Sequence, residues 1–178
     1  TRALTKILRK KGTMKGILAT GENCDPEKLR EKIRDFSIQN PVAIVTCKEM
    51  THYPGTGFRV AVLDYGMKLG ILRSLQRRGC DVYVFPADAS AEEVLKINPD
   101  GIMLSNGPGD PKDCVVSIET IWNLMGERPI FGICLGHQLT ALASGADTGK
   151  MKFGHRGCNH PVKDIVRDLT YITSQNHG

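Results

Sequence analysis

In Gly132-Ile133-Cys134-Leu135-Gly136, one thiol stands between two glycines where an apolar run ends and a helix-like pattern begins. The spacing is that of a nucleophile elbow with cysteine in place of serine. Such an elbow turns sharply from strand to helix. It strains the nucleophile's backbone, and side chains two residues away would collide across the turn. Glycine at both places relieves the collision. The thiol then sits at a helix N-terminus, where the dipole and exposed N–H groups favour the thiolate. The N–H of Leu135 is one candidate oxyanion donor. The chemistry implied is attack on a carbonyl carbon. The competing reading is a buried structural cysteine, the usual fate of a cysteine outside a disulfide.

A second donor should come from a neighbouring strand end. Ser105–Pro111, SNGPGDP, follows an apolar run, and Gly107 and Gly109 offer backbone N–H groups without side chains. Taken alone, the segment also fits a plain glycine-proline turn. Nucleotide motifs fail. Lys112 stands where a third glycine would be needed after Gly107 and Gly109. Ser144–Met151, SGADTGKM, has Ser144 in place of the first phosphate-loop glycine and Met151 in place of the magnesium-binding hydroxyl. His155, Cys158 and His160 lie in a turn-rich stretch with no fourth ligand at a clear spacing, so no metal is expected. His137 is three residues after Cys134, too near on one helical turn to be well aimed as a base. His52 and His177 are isolated.

These residues need elements to hold them. Arg59–Tyr65, Asp81–Pro86, Gly101–Ser105 and Pro129–Ile133 read as strands from their β-branched and apolar runs. Helical patterns separate them: Met67, Ile71 and Leu75 before Gly79; a Ser90/Glu93 capping box; Ile118, Ile121, Trp122 and Met125 behind a possible Asp113 cap; and the stretch after Cys134. Four such alternations predict an α/β fold, a mostly parallel doubly wound sheet with helices on both faces. In such sheets chemistry gathers at the carboxyl ends of strands. Upstream, Leu4–Lys11 and the segment after Asp25-Pro26 read as helices, while Met14–Ala19 and Pro41–Val45 read as short strands. Thr51–Gly57, THYPGTG, reads as a linker. Downstream, Lys150–Asn159 suggests a strand and turn, and Leu169–Thr173 a last strand.

The 178 residues are 40% hydrophobic and 24% charged, as in ordinary globular proteins. No apolar run reaches the roughly 18 residues of a membrane span, and no signal peptide is expected from the basic opening. The net charge of +5 is local: six basic residues between Arg2 and Lys15 leave 18 basic against 19 acidic residues elsewhere. A globally basic nucleic-acid binder is thus disfavoured. The basic start reads as a solvated helix face, with RNA or an acidic partner as the alternative. Six scattered cysteines without a CxxC pair fit thiols in a reducing cytoplasm.

GICLGHQ at 132–138 resembles the nucleophile segment of the class I (triad-type) glutamine amidotransferases, and LSNGPGDP at 104–111 resembles their oxyanion loop. The stretches at 4–18, 149–164 (GKMKFGHRGCNHPVKD) and 172–178 (ITSQNHG) narrow the resemblance to the glutaminase subunits of carbamoyl-phosphate synthetases, over nearly the whole chain. The resemblance implies glutamine hydrolysis through a thioester on Cys134. Gly109 and Leu135 would hold the oxyanion, and Gly107, Gln138, Asn176 and Gly178 would contact glutamine. It implies a large-subunit partner that uses ammonia, ATP, magnesium and bicarbonate, and no cofactor or metal on this chain. It divides the chain into the end of a smaller α/β domain at 1–50, a linker at 51–58 and the amidotransferase domain at 59–178. In the family, the base histidine and its carboxylate come from a GHPE-like segment past the NHG strand end. The 178 residues contain none. The chain is therefore expected to be an internal piece of the subunit, its amidotransferase domain incomplete at the C-terminus, and poorly active alone. Three alternatives stay open: another amidotransferase of the class, a thiol esterase with an α/β-hydrolase-like fold, and an interaction module with a relict site.

Overall fold

Along RVAVLD, Arg59–Asp64, alternate residues enter different cores. Ala61 and Leu63 pack into one, Val60 and Val62 into the other. A strand apolar on both sides must lie inside a sheet that is covered on both sides. A computed structural model describes residues 2–12, 14–21 and 24–177 and places this strand at the centre of such a sheet. The chain runs α1 (Arg2–Lys11), α2 (Pro26–Asp35), α3 (Pro41–Val45), β1 (Thr51–Tyr53), β2 (Arg59–Asp64), α4 (Leu69–Arg77), β3 (Asp81–Pro86), α5 (Ala91–Lys96), β4 (Gly101–Leu104), α6 (Val115–Leu124), β5 (Ile130–Gly132), α7 (Leu135–Ala143), β6 (His155–Asp164) and β7 (Leu169–His177).

The chain divides into two compact units. One is Asn40–Gly149, and the other joins Thr1–Gln39 to Lys150–Gly178. The first holds a five-stranded sheet in the order β1-β3-β2-β4-β5, in which β2 to β5 are parallel and β1 is antiparallel to β3. Val94 of α5, Ile121 and Leu124 of α6, and Leu135 and Leu139 of α7 cover one face. Leu72 of α4 covers the other. The expected α/β sheet with helices on both faces is therefore what forms. The chain leaves β2 toward one face and β4 toward the opposite one. The carboxyl ends of these neighbours thus flank a switch point, where open α/β sheets place their sites. The capping box is complete: Ser90 Oγ accepts from Glu93 N–H at 3.2 Å, and Glu93 Oε2 accepts from Ser90 N–H at 2.8 Å.

Several expectations need correction. Pro41–Val45 is helix, not strand: Asn40 Oδ1 accepts from Ala43 N–H at the N-cap, and Pro41 supplies the fixed φ of the first helical position. Thr51–Gly57 is not a linker. Thr51–Tyr53 pairs with β3, His52 stacks on Tyr83 at 4.0 Å, and Gly57 N–H donates to Gly79 O at 2.7 Å. Met14–Ala19 forms no strand. Asp113 does not cap α6. It ends a 3₁₀ turn, Pro111–Asp113, that Asp110 caps, and Cys114 takes the N-cap place before α6.

In the second unit, β6 and β7 form an antiparallel hairpin with an irregularity between Gly157 and His160. Asp25 caps α2 by accepting from Glu27 N–H at 2.9 Å, with Pro26 beginning the helix. Among the described residues, no helix is long and apolar enough to cross a membrane.

Candidate active site

Strand β5 delivers the chain to Cys134. Ile133 N–H donates to Leu104 O at 3.0 Å, carrying the β4–β5 pairing one residue beyond Gly132. Cys134 then adopts φ 53° and ψ −108°. Such backbone costs a non-glycine residue roughly 1–3 kcal/mol and persists only where its surroundings impose it. The surroundings here are the two glycines. A Cβ on Gly132 would lie 2.5 Å from Gly136 C and His137 N, and one on Gly136 would lie 2.5 Å from Leu104 O. Helix α7 begins at the next residue, and Gln138 N–H donates to Cys134 O at 3.1 Å. The thiol is exposed rather than buried, so the structural-cysteine reading fails on burial.

The loop after β4 lies against the elbow. Gly136 N–H donates to Ser105 O at 3.1 Å. A side chain on Gly107 would strike Tyr65 O and approach Leu135 Cδ2 to 2.7 Å. Gly107 and Leu135, far apart in sequence, are therefore in contact. Gly109 has φ 97°, a conformation natural to glycine. Among the described residues, no hydrogen bond uses the N–H of Gly109 or Leu135. Two backbone donors of the predicted oxyanion pair thus stand uncommitted in the same unit as the thiol.

Two side chains fix this loop, and a third fixes the turn after β2 on which it rests. Ser105, fully buried, accepts from Tyr65 N–H at 2.9 Å and donates to Asn106 O at 2.8 Å. Asn106 donates to Gly66 O at 3.1 Å and accepts from Lys68 N–H at 3.0 Å. The Asp64 carboxylate, at the end of β2, accepts from Gly66 N–H at 2.9 Å, Met67 N–H at 2.7 Å and Cys47 N–H at 2.9 Å. Sequence reasoning missed all three. For Ser105 and Asn106 the polar pair just before Gly107 was the available signal. For Asp64 it was an acid closing an apolar strand.

Other thiols suit this chemistry less. A cavity of about 320 Å³ between α3 and the first turn of α6 is lined by Cys47 and Cys114 but not by Cys134. Burial, followed by the nearby Asp64 charge, pushes the Cys47 thiol above its ordinary value. Burial and then Asp113 and Asp110 do the same to Cys114. Both are thereby held as neutral thiols. The six cysteines form no disulfide.

The remaining expected residues are placed as follows. Gln138 is half-buried on α7, and His137 is exposed on its first turn. Asn176 lies on β7 opposite Arg156, in the other unit. Gly178 lies outside the described residues. His177 Nε2 is 2.9 Å from His155 Nδ1 and 3.0 Å from Gln175 Oε1. His52 Nε2 sits 2.6 Å from Asp81 Oδ1 at the start of β3, the end of the sheet opposite the elbow. Among the described residues, no three His, Cys, Asp or Glu side chains gather to hold a metal ion.

A mostly parallel α/β sheet with a strained cysteine at a strand-to-helix elbow, beside a glycine loop with uncommitted donors, has the form of a nucleophilic-thiol site. Residues 61–178 match the family model of glutamine amidotransferase class-I, and the chain belongs to that family. Over its 178 residues it is 54% identical to the carbamoyl phosphate synthase small chain of Clostridium perfringens, of which it covers 51%. It is 52% identical to the carbamoyl phosphate synthase pyrimidine-specific small chain of Bacillus subtilis, covering 49% of that protein. The chain therefore spans about half the length of the curated relatives it matches. A crystal structure from Thermoplasma acidophilum, of a protein described as a GMP synthase subunit, shares the fold over 57% of this chain and 52% of its own, with a TM-score of 0.50 and 28% identity.

Proposed function

We infer that this chain carries the glutaminase site of a glutamine-hydrolysing carbamoyl phosphate synthase. In this reading, the Cys134 sulfur attacks the carboxamide carbon of glutamine. The developing oxyanion accepts hydrogen bonds from the N–H groups of Leu135 and Gly109. The tetrahedral species collapses with loss of ammonia, which needs a proton on the departing nitrogen, and leaves a γ-glutamyl thioester. Water then cleaves the thioester to glutamate and restores the thiol. Gly107 and Gln138, in the same unit as the thiol, contact the amino acid. Ammonia passes to a large subunit, where ATP, magnesium and bicarbonate are used.

The observation that carries this reading is the φ of 53° at Cys134, flanked by two glycines where a Cβ would lie 2.5 Å from backbone atoms. Strain of this kind at an exposed nucleophile fits pre-organisation for attack rather than packing. Identity of 52–54% to carbamoyl phosphate synthase small chains, against 28% to the GMP synthase-like structure, favours the former as the parent activity.

The test is the chloroketone analogue of glutamine: the thiolate adds to its ketone, the resulting oxyanion accepts from the N–H groups of Leu135 and Gly109, and the sulfur then displaces chloride from the neighbouring carbon. It should alkylate Cys134, located by peptide mass mapping, and glutamine should protect against it. Cys134→Ser should abolish the adduct. An unlabelled Cys134 that still reacts with iodoacetamide would refute a glutamine site.

A further inference from the structure

Helix α3 lies outside residues 61–178, the stretch that the amidotransferase family model matches. Its side chains nonetheless sit on the glycine loops of the site. A Cβ on Gly109 would come within 2.6 Å of Pro41 Cγ, so the proline ring covers the face of Gly109 where a side chain would stand. A Cβ on Gly66 would come within 2.7 Å of Val45 Cγ2 and 3.2 Å of Pro108 Cδ. Gly66 thus packs closely against both α3 and the loop that carries Gly109.

One carboxylate fastens the helix there. Asp64 Oδ2 accepts from Cys47 N–H, two residues beyond α3, while Oδ1 accepts from Gly66 and Met67 N–H. Thr46, the C-cap of α3, adds a second tie by accepting from Ala87 N–H at 2.9 Å. Asn106 then links Gly66 to the root of the oxyanion loop.

We propose that α3, clasped by Asp64, is a positioning element that seats Gly109 for oxyanion binding through Pro41. The proposal rests on the glutaminase reading and adds to it a support that lies outside the matched domain. Asp64 is a positioning residue: it acts through Cys47 and Gly66 and need not touch substrate. Gly109 has no side chain and a positive φ, so its own conformational restraint is weak. An external wall is what fixes the direction of its N–H, and a displaced oxyanion donor costs rate far more than affinity.

The test uses the 178-residue chain and two reagents on one thiol. Asp64→Asn keeps an acceptor for Gly66 and Met67 but turns an N–H toward Cys47 N–H, breaking the clasp to α3 alone. Pro41→Ala removes the ring over Gly109 and leaves Asp64 intact. Each variant is expected to lower kinact for the glutamine chloroketone about tenfold, with KI within about twofold. Iodoacetamide, which uses no oxyanion donor, should label Cys134 at the wild-type rate. A general loosening of the fold would move both reagents together. If Asp64→Asn fails to fold, Pro41→Ala decides. Wild-type kinact in folded Pro41→Ala overturns the proposal while leaving the glutaminase reading intact. No chloroketone labelling of the wild-type chain overturns both.

Discussion

Gly136 donates its backbone N–H to the carbonyl of Ser105 across 3.1 Å. The first turn of the nucleophile's helix is thereby bonded, main chain to main chain, to the root of the loop that bears Gly107 and Gly109. This one link between elbow and loop does not depend on any side chain that could swing away. It does depend on the absence of one. Gly136→Ala would place a methyl 2.5 Å from Leu104 O and 2.6 Å from Leu104 Cβ. Both are fixed parts of β4, so the strand or the elbow must move. The expected loss is about 2–3 kcal/mol of stability, in the range of core overpacking, read as a lowered urea midpoint. An unchanged midpoint would mean that the elbow relaxes easily and is not held rigid by β4.

Thiol reactivity should follow placement. Cys134 is exposed at the helix start, whereas Cys80 is buried and Cys47 and Cys114 are half-buried and held as neutral thiols. Thiolate fraction and access set alkylation rates. Under limiting iodoacetamide at neutral pH, mass mapping should find Cys134 modified ahead of Cys47, Cys114 and Cys80, by tenfold or more over Cys80. Equal rates would argue against an activated thiol.

Much of this site could be read before any coordinates. The elbow is a local device, since Gly132, Cys134 and Gly136 meet across one turn and their spacing alone announces it. The parallel strands were legible because β-branched residues bury on both faces. What failed were short elements decided by tertiary contacts. Pro41–Val45 has strand-like residues, but Asn40 and Pro41 fold it into a single helical turn pressed on Gly66 and Gly109. Thr51–Tyr53 is too short to show a period, and only pairing with β3 makes it a strand. Asp64 reaches Cys47 across 17 residues, and no pattern along the chain marks that bond.

A distant ion-pair cluster gives the fold an acid limit. Asp81 accepts from His52 at 2.6 Å, from Arg59 Nε at 3.1 Å and from Gly55 N–H at 3.3 Å. The bond from His52, then that from Arg59, holds its carboxyl below the ordinary carboxylate value. A depressed folded value means that Asp81 contributes stability above the unfolded carboxyl's value, about 3.9, and loses it as pH falls through the lower folded value. Asp81→Asn should therefore be less stable than wild type at neutral pH. The gap should narrow once the pH drops below about 4. Urea midpoints of both proteins across this range test it; a gap that stays constant into strong acid would show that the charge of Asp81 contributes nothing.

The last expectation concerns turnover. Cleaving the amide requires a proton for departing ammonia and a base for the incoming water, in addition to the thiol. Within Asn40–Gly149, the one histidine bonded to a carboxylate is His52, on Asp81. Asp81 pairs with Arg59 at the amino ends of β3 and β2, whereas Cys134 follows the carboxyl end of β5. A six-residue strand separates those ends by roughly 20 Å at about 3.3 Å per residue, so this pair cannot serve the thiol. His137 shares the first turn of α7 with Cys134, and His177 is engaged with His155 and Gln175. The 178-residue chain should accordingly hydrolyse glutamine about 10²-fold or more below a small chain carrying a GHPE-like segment, the range lost when a catalytic base is removed. Its Cys134 should still take up the chloroketone. Ammonia release under saturating glutamine measures the first, and extending the chain with such a segment should restore the rate. Near-normal turnover by the 178 residues alone, abolished by His137→Ala or by His177→Ala, would instead assign the base to that histidine.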